Sequence, residues 1–145
     1  MHPSSRLLAL FGACWLLVAQ GTALAAIRVD GAWIREAPPG RDITAAYLTL
    51  HNDGDVDQAL IAAECPAAGR VELHTHSAVD GMMRMRQVDR VGIPARDTLS
   101  FAPGGLHLML FDWSGARAGE RVPMTLVTED GETLTIEFEV AREAP

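Results

Sequence analysis

The sequence predicts an all-β domain, an antiparallel sandwich or Greek-key barrel. Three observations carry that prediction. Extended runs rich in β-branched and aromatic residues recur along the chain, Asp-Gly and Gly-Gly pairs fall between them, and no segment carries apolar residues at the 3.6-residue spacing of an amphipathic helix. Short strands separated by turns over roughly 120 residues are the sequence form of such folds.

The elements follow in chain order. Residues 1–25 run from Arg6 through the apolar "LLALFGACWLLVA" to a small-x-small site at Ala23 and Ala25. That is the pattern of a secretory signal peptide cleaved after Ala25, and the apolar run is short for a membrane span. "FGAC", ending at Cys14, suggests a lipoprotein site, but the apolar run continues past it into "WLLVA", which favours the signal-peptide reading. Residues 26–145 are then one exported domain, periplasmic by the bacterial look of the leader, with no later segment able to cross a bilayer. "AWIREAPPG" (32–40) reads as an early strand leaving into a loop, because Pro38-Pro39-Gly40 cannot continue a ladder. Trp33 is expected on the core. "TAAYLTLHN" (44–52) meets a turn at Asp53-Gly54, with His51 placed as a loop residue, and "DQALIAAEC" (57–65) follows, ended by Pro66. "RVELHTH" (70–76) leads through Asp80-Gly81 to "MMRMRQV" (82–88), and "DTLSFAP" (97–103) through Gly104-Gly105 to "LHLMLFDW" (106–113). "RVPMTLVTED" (121–130), Gly131 and "ETLTIEFEV" (132–140) make a last hairpin. Asp-Gly and Gly-Gly pairs between extended runs are read as hairpin turns, since a positive φ costs little there.

Composition narrows the function. The formal net charge is −7 and there is no lysine. Loss of Arg6 with the leader makes the chain slightly more acidic still. Acidic charge without a basic cluster argues against nucleic acid or an anionic membrane as partner. One cysteine, Cys65, remains after cleavage, so no internal disulfide forms, and the absence of Cys-x-x-Cys removes the thioredoxin-like redox class. Cys65 is expected to be a small buried hydrophobe rather than a metal ligand or an intermolecular partner. There is no Ser-His-Asp order with a supporting motif, no phosphate loop and no His-Glu-x-x-His, so the chain is not read as an enzyme.

What stands out is the alternation of histidine with methionine in "ELHTH" (72–76), "GMMRMR" (81–86) and "GGLHLML" (104–110). With Asp80-Gly81 as a two-residue loop, Val79 faces Met82, His76 faces Met85 and His74 faces Gln87. Side chains alternate along a strand, so His74, His76, Met83 and Met85 share one face. His74 and Met85 are diagonal neighbours, roughly 7–8 Å apart at the backbone. On the third strand Leu106, Leu108 and Leu110 form a core stripe, which leaves His107 and Met109 on the other face, about 6.5–7 Å apart. Taken singly, a histidine is ordinarily a surface or satisfied core residue and a methionine is packing. Together, on faces turned away from leucine and valine stripes, they are not needed for the core. Arg84 and Arg86, opposite Met83 and Met85, imply that this strand twists off the sheet or lies at an edge.

If the strand end at 107–109 lies beside the hairpin, two imidazoles and two thioethers close a four-ligand site. Thioether sulfur is a soft, neutral donor that selects Cu(I). Calcium and magnesium want oxygen ligands, and structural zinc prefers thiolate and imidazole. Neutral ligands leave the ion exchangeable, which suits carriage more than storage.

The spacing His74, ten residues, Met85, twenty-one residues, His107, one residue, Met109 is similar to the motif of the PCu(A)C family of periplasmic copper chaperones, with no gap adjustment. "AWIREAPPG", "TAAYLTLHNDGD", "GRVELH", "DGMMRMR", "IPA" and "PGGLHLMLF" resemble that family's segments in order over nearly the whole mature chain. The resemblance implies a cupredoxin-like β-barrel holding one Cu(I) through His74, Met85, His107 and Met109. It also implies a role in supplying copper to the Cu(A) centre of cytochrome c oxidase, with a Sco-type thiol protein or oxidase subunit II as partner. Many relatives end in a His- and Met-rich tail; "EFEVAREAP" here has neither. The spacing selects the diagonal pair His74 and Met85, with His76, directly opposite Met85, as the alternative ligand or transfer aid; Met83 is read as surface packing around the site, with an entry or spare ligand as the alternative. Two other functions compete. A blue-copper electron-transfer protein needs a Cys thiolate beside two histidines, and no cysteine lies near His107 or Met109. A β-sandwich interaction module without metal would make the histidines and methionines incidental.

Overall fold

The computed structural model describes residues 27–145, and the expected leader at 1–25 lies outside them. The elements are ten strands: β1 (Ile27–Arg35), β2 (Ile43–Asn52), β3 (Gln58–Glu64), β4 (Arg70–Val79), β5 (Met82–Gln87), β6 (Val91–Ile93), β7 (Thr98–Phe101), β8 (His107–Phe111), β9 (Arg121–Thr128) and β10 (Thr133–Ala141). They are joined in the order β5-β4-β8-β2-β1-β10-β9-β3-β6, with β7 pairing β2 off this path. The path curls so that β3 approaches β4 without laddering to it. Inside lies one apolar core built from the alternate residues of the strands: Ile34, Leu48, Leu60, Leu108, Leu126 and Phe138 are all fully enclosed. Trp33 is buried as expected, its ring 4.7 Å from that of Tyr47 with the Arg35 guanidinium over both.

The expected β-sandwich is present, with differences that trace to long-range pairing. The sheet is mixed, because β1 and β10 run parallel, Trp33 opposite Glu139. These strands come from opposite ends of the chain, where no local turn signal reports direction. The short strand β6, pairing β3, has no sequence signal, because three residues are too few to show alternation. His51 sits inside β2 rather than in a loop, its ring held between Asp30 and Thr98.

Two of the expected hairpin turns are something else. After Asp53-Gly54 the chain does not fold back onto β2; β3 pairs β6 and β9 instead. The buried Asn52 shapes that crossing. Its Nδ2 donates to the carbonyls of Val56 (2.8 Å) and Ile93 (3.0 Å), and its Oδ1 accepts the Gly54 N–H, an Asx turn. Gly104-Gly105 does not join a hairpin either. β7 pairs residues 48–51 of β2 and β8 pairs residues 43–46, both antiparallel to it, so β7 and β8 run the same way along one flank. Residues 102–106 are a looped excursion between them, closed by Gly105 N–H on the Ala102 carbonyl and Ala102 N–H on the Leu106 carbonyl. Gly104, at φ 82°, supplies the left-handed step. The excursion brings the Gly105 carbonyl over the histidine face.

The β4–β5 hairpin is as the spacing predicts. Asp80 (φ 52°) and Gly81 (φ 77°) make the two-residue loop, both in the left-handed region that a type I′ turn requires. Val79 pairs Met82, His76 pairs Met85 and His74 pairs Gln87. β5 is an edge strand and all six of its residues are exposed, which accounts for Arg84 and Arg86 on its second face.

Candidate metal centre

β4 and β8 are adjacent antiparallel strands, with His74 directly opposite His107, Leu73 opposite Leu108 and Glu72 opposite Met109. The pleat then sorts the side chains. Leu73, Leu108 and Leu110 turn into the core, while His74, His76, His107 and Met109 take the other face. β5 brings Met85 to that face from the far side of β4. Four residues singled out by spacing thus stand on one surface of three neighbouring strands. The His107 and His74 rings are 5.6 Å apart between centroids, and His107 and His76 5.2 Å. Met85 Sδ is 3.2 Å from His107 Nε2. Met109 is part-buried on the same face, two residues from His107; it is held near by register.

His107 is the centre of the cluster and only 4% exposed. Its Nδ1–H donates to the Gly105 carbonyl at 3.0 Å, and His76 Nδ1–H reaches the same oxygen at 3.3 Å. Burial pushes the His107 pKa below its ordinary value, the Gly105 bond opposes this, and His76 and His74 nearby push the same way as burial. A neutral ring with its proton on Nδ1 leaves a bare lone pair on Nε2. That lone pair faces the lone pairs of Met85 Sδ, two acceptors with no proton between them. A cation resolves that opposition. With metal–nitrogen near 2.0 Å and metal–sulfur near 2.3 Å, a tetrahedral d¹⁰ ion sets such donors about 3.5 Å apart. The observed separation is a few tenths of an ångström from that value.

His74 is held differently. Its Nε2–H donates to Glu72 Oε2 at 2.8 Å, and its Nδ1 is buried with no hydrogen-bond partner. The other oxygen of Glu72 accepts from Arg70 Nε at 2.6 Å. The Glu72 carboxyl is held below the usual carboxylate range, first by the His74 hydrogen bond and then by Arg70, against partial desolvation. Glu72 and the Gly105 carbonyl escaped the sequence reading. Glu72 precedes His74 by two residues, so strand alternation alone places it on the histidine face; the Gly105 oxygen had no such signal.

The secondary candidates are sorted by position. His76 lies directly across from Met85 and within ring contact distance of His107, so it stands in the cluster as fully as His74. Met83 shares the face but is 64% exposed, nearer the turn. Strand alternation turns Met82 to the face opposite Met83, where packing is expected; it is 56% exposed instead. Cys65 is a buried member of the core and burial raises its thiol pKa, which is the environment of an inert thiol rather than a ligand. Among the described residues no three His, Cys, Asp or Glu side chains are arranged to hold a metal ion, and the soft donor beside His107 is the thioether of Met85.

Known proteins share this architecture. Residues 27–140 match the family model described as "Putative lipoprotein LpqE-like". A "Putative lipoprotein Lxx21020" of Leifsonia xyli subsp. xyli is 33% identical over 109 residues, 74% of this chain and 64% of that protein; the chain thus spans under two thirds of the curated relative it matches. Among solved structures, Cu(I)-bound DR1885 from Deinococcus radiodurans is 36% identical with a TM-score of 0.69, covering 86% of this chain and 84% of that one. The copper-bound PCuAC domain from PmoF2 is 27% identical, also at 0.69, over 85% and 97%. The apo PCuAC domain from PmoF1 is 25% identical at the same TM-score, over 83% and 95%. With its histidines and methionines gathered on one side of a cupredoxin-like β-sandwich, the chain belongs to the LpqE-like family, of PCu(A)C type.

Proposed function

We propose that this protein is a Cu(I) metallochaperone that holds one ion through His74, Met85, His107 and Met109. The observation that carries the reading is the 3.2 Å approach of the buried His107 Nε2 to the half-exposed Met85 Sδ, two lone pairs turned on one another. Soft neutral donors select the cuprous ion and hold it exchangeably. The copper-bound state of two structural neighbours supports the same cargo here. The putative-lipoprotein names of the family and of the Leifsonia relative support an exported protein, and we place it in the periplasm behind a cleaved leader at residues 1–25. Its recipient, on this reading, is the Cu(A) centre of cytochrome c oxidase, reached through a Sco-type thiol protein or subunit II. It carries copper and catalyses no reaction.

The mechanism is ligand exchange. His107, neutral and oriented by Gly105, is the fixed donor. Met85 stands on the exposed edge strand, 47% open to solvent, where an incoming ligand can replace its sulfur first. X-ray absorption on the Cu(I)-loaded protein tests the set: two nitrogen and two sulfur neighbours are expected, and His107→Ala with Met109→Ala abolishes binding while the strand spectrum is kept. A first shell of oxygen, or of nitrogen alone, refutes the assignment. An electron-transfer role is disfavoured, because Cys65 lies in the core and the imidazoles line the outer face.

A further inference from the structure

We infer that Glu72 is a positioning residue that decides which nitrogen His74 offers, so that the ion is held by Nδ1 of His74 and by Nε2 of His107. The inference deepens the Cu(I) reading above and rests on it. Glu72 stands on β4, two residues before His74, with its side chain 16% exposed. Both of its oxygens are engaged: Oε1 by Arg70 Nε at 2.6 Å and Oε2 by His74 Nε2 at 2.8 Å. Arg70 is itself fixed, its guanidinium 4.2 Å above the ring of Phe111, and that ring lies 6.4 Å from the His74 ring. The carboxylate is therefore clamped before it touches the histidine. A carboxylate only accepts, so the proton of a neutral His74 sits on Nε2. A half-turn of the ring would put a carbon against the carboxylate and lose the bond, so the choice of nitrogen follows from chemistry.

The consequence is visible on the other side of the ring. Nδ1 of His74 is buried and has no partner, an uncommon and costly state for a polar atom. On His107 the roles are reversed: Nδ1–H is given to the Gly105 carbonyl and Nε2 is open towards Met85. A ligating histidine whose second nitrogen is anchored to a carboxylate or carbonyl has its tautomer and ring plane set by that anchor. The two anchors here are of different kinds and act on opposite nitrogens. Facing strands, with their rings 5.6 Å apart between centroids, thus leave unlike nitrogens free for the ion.

Long-range ¹H–¹⁵N NMR of the imidazoles tests this, on the metal-free protein and after Cu(I) is added. Expected is an Nε2–H tautomer for His74 and an Nδ1–H tautomer for His107 in both states. Glu72→Ala should lower Cu(I) affinity about 10–100-fold, the usual cost of losing an anchoring partner. The same variant should release the His74 tautomer. Glu72→Gln, whose amide oxygen can accept the same N–H, should restore the tautomer and most of the affinity. A Cu(I)-loaded protein in which His74 carries its proton on Nδ1 overturns the inference while leaving the four-ligand site standing. So does an unchanged affinity in Glu72→Ala. Failure of the wild-type imidazole signals to move on Cu(I) addition sinks the copper reading itself, and the inference with it.

Discussion

Replacing Met85 by alanine separates the site from the fold. Met85 lies on the edge strand β5, is 47% exposed, and touches His107 Nε2 through its sulfur. Complete burial of a methionine side chain contributes about 1.5–3 kcal/mol. With half of it in water, and no closed cavity left behind, Met85→Ala should cost the fold about 1 kcal/mol. The loss to the ion is larger. Outer-sphere partners are worth 10–100-fold in metal affinity, and a donor in direct contact should exceed that, so a drop of at least about 100-fold is expected. That corresponds to about 2.7 kcal/mol, more than twice the effect on folding. The assay is competition with a chromogenic Cu(I) chelator under reducing, oxygen-free conditions, with a urea titration beside it. Met83→Ala is the control: on the same face but 64% exposed, it should change affinity by less than about threefold, below the roughly 10–100-fold of an outer-sphere partner. If Met85→Ala binds Cu(I) as tightly as the parent while folding normally, the approach of its sulfur to His107 has no part in the site.

Two further outcomes follow from the same geometry. Leu108→Ala, directly between His107 and Met109 but pointing into the core at 0% exposure, should cost about 3–5 kcal/mol in urea unfolding, and a loss below about 1 kcal/mol would contradict its place in the core. Glu36 accepts the Ala118 N–H and the Arg142 guanidinium, and its carboxyl is held below the ordinary value, chiefly by the Ala118 bond. Its folded-state pKa is thus below the unfolded one, so its contribution is present above the ordinary glutamate value and disappears as pH falls through the depressed one. Glu36→Gln should flatten the acid limb of the stability curve, and an unchanged limb would show the carboxylate is not held.

How much of this was legible depends on range. The β4–β5 register followed from Asp80-Gly81 alone, because two left-handed residues in sequence admit one kind of loop, and the loop sets every pair behind it. Gly104-Gly105 and Asp53-Gly54 misled, because a turn bends the chain without saying which strand it meets next. The parallel β1–β10 pair was invisible for the same reason. His107 and Met109 were readable from the leucine stripe of their own strand, and so was the face shared by His74 and Met85. That β8 lies beside β4, and so brings His74 opposite His107, is a long-range pairing that strand alternation does not specify. The Gly105 carbonyl could not be foreseen at all, since a backbone oxygen leaves no trace in residue type.

The exposed state of β5 has a mechanical consequence. Every residue of that strand is already exposed, so peeling it from β4 uncovers little apolar area beyond the covered half of Met85 and otherwise forfeits its ladder of hydrogen bonds. The core behind Leu73 and Leu108 is untouched by such a motion. One sulfur of the cluster rides on a flap that can swing at small expense, while His107 and Met109 are moored to the barrel wall. Opening at one side only gives an acceptor protein a direction from which to take the cargo.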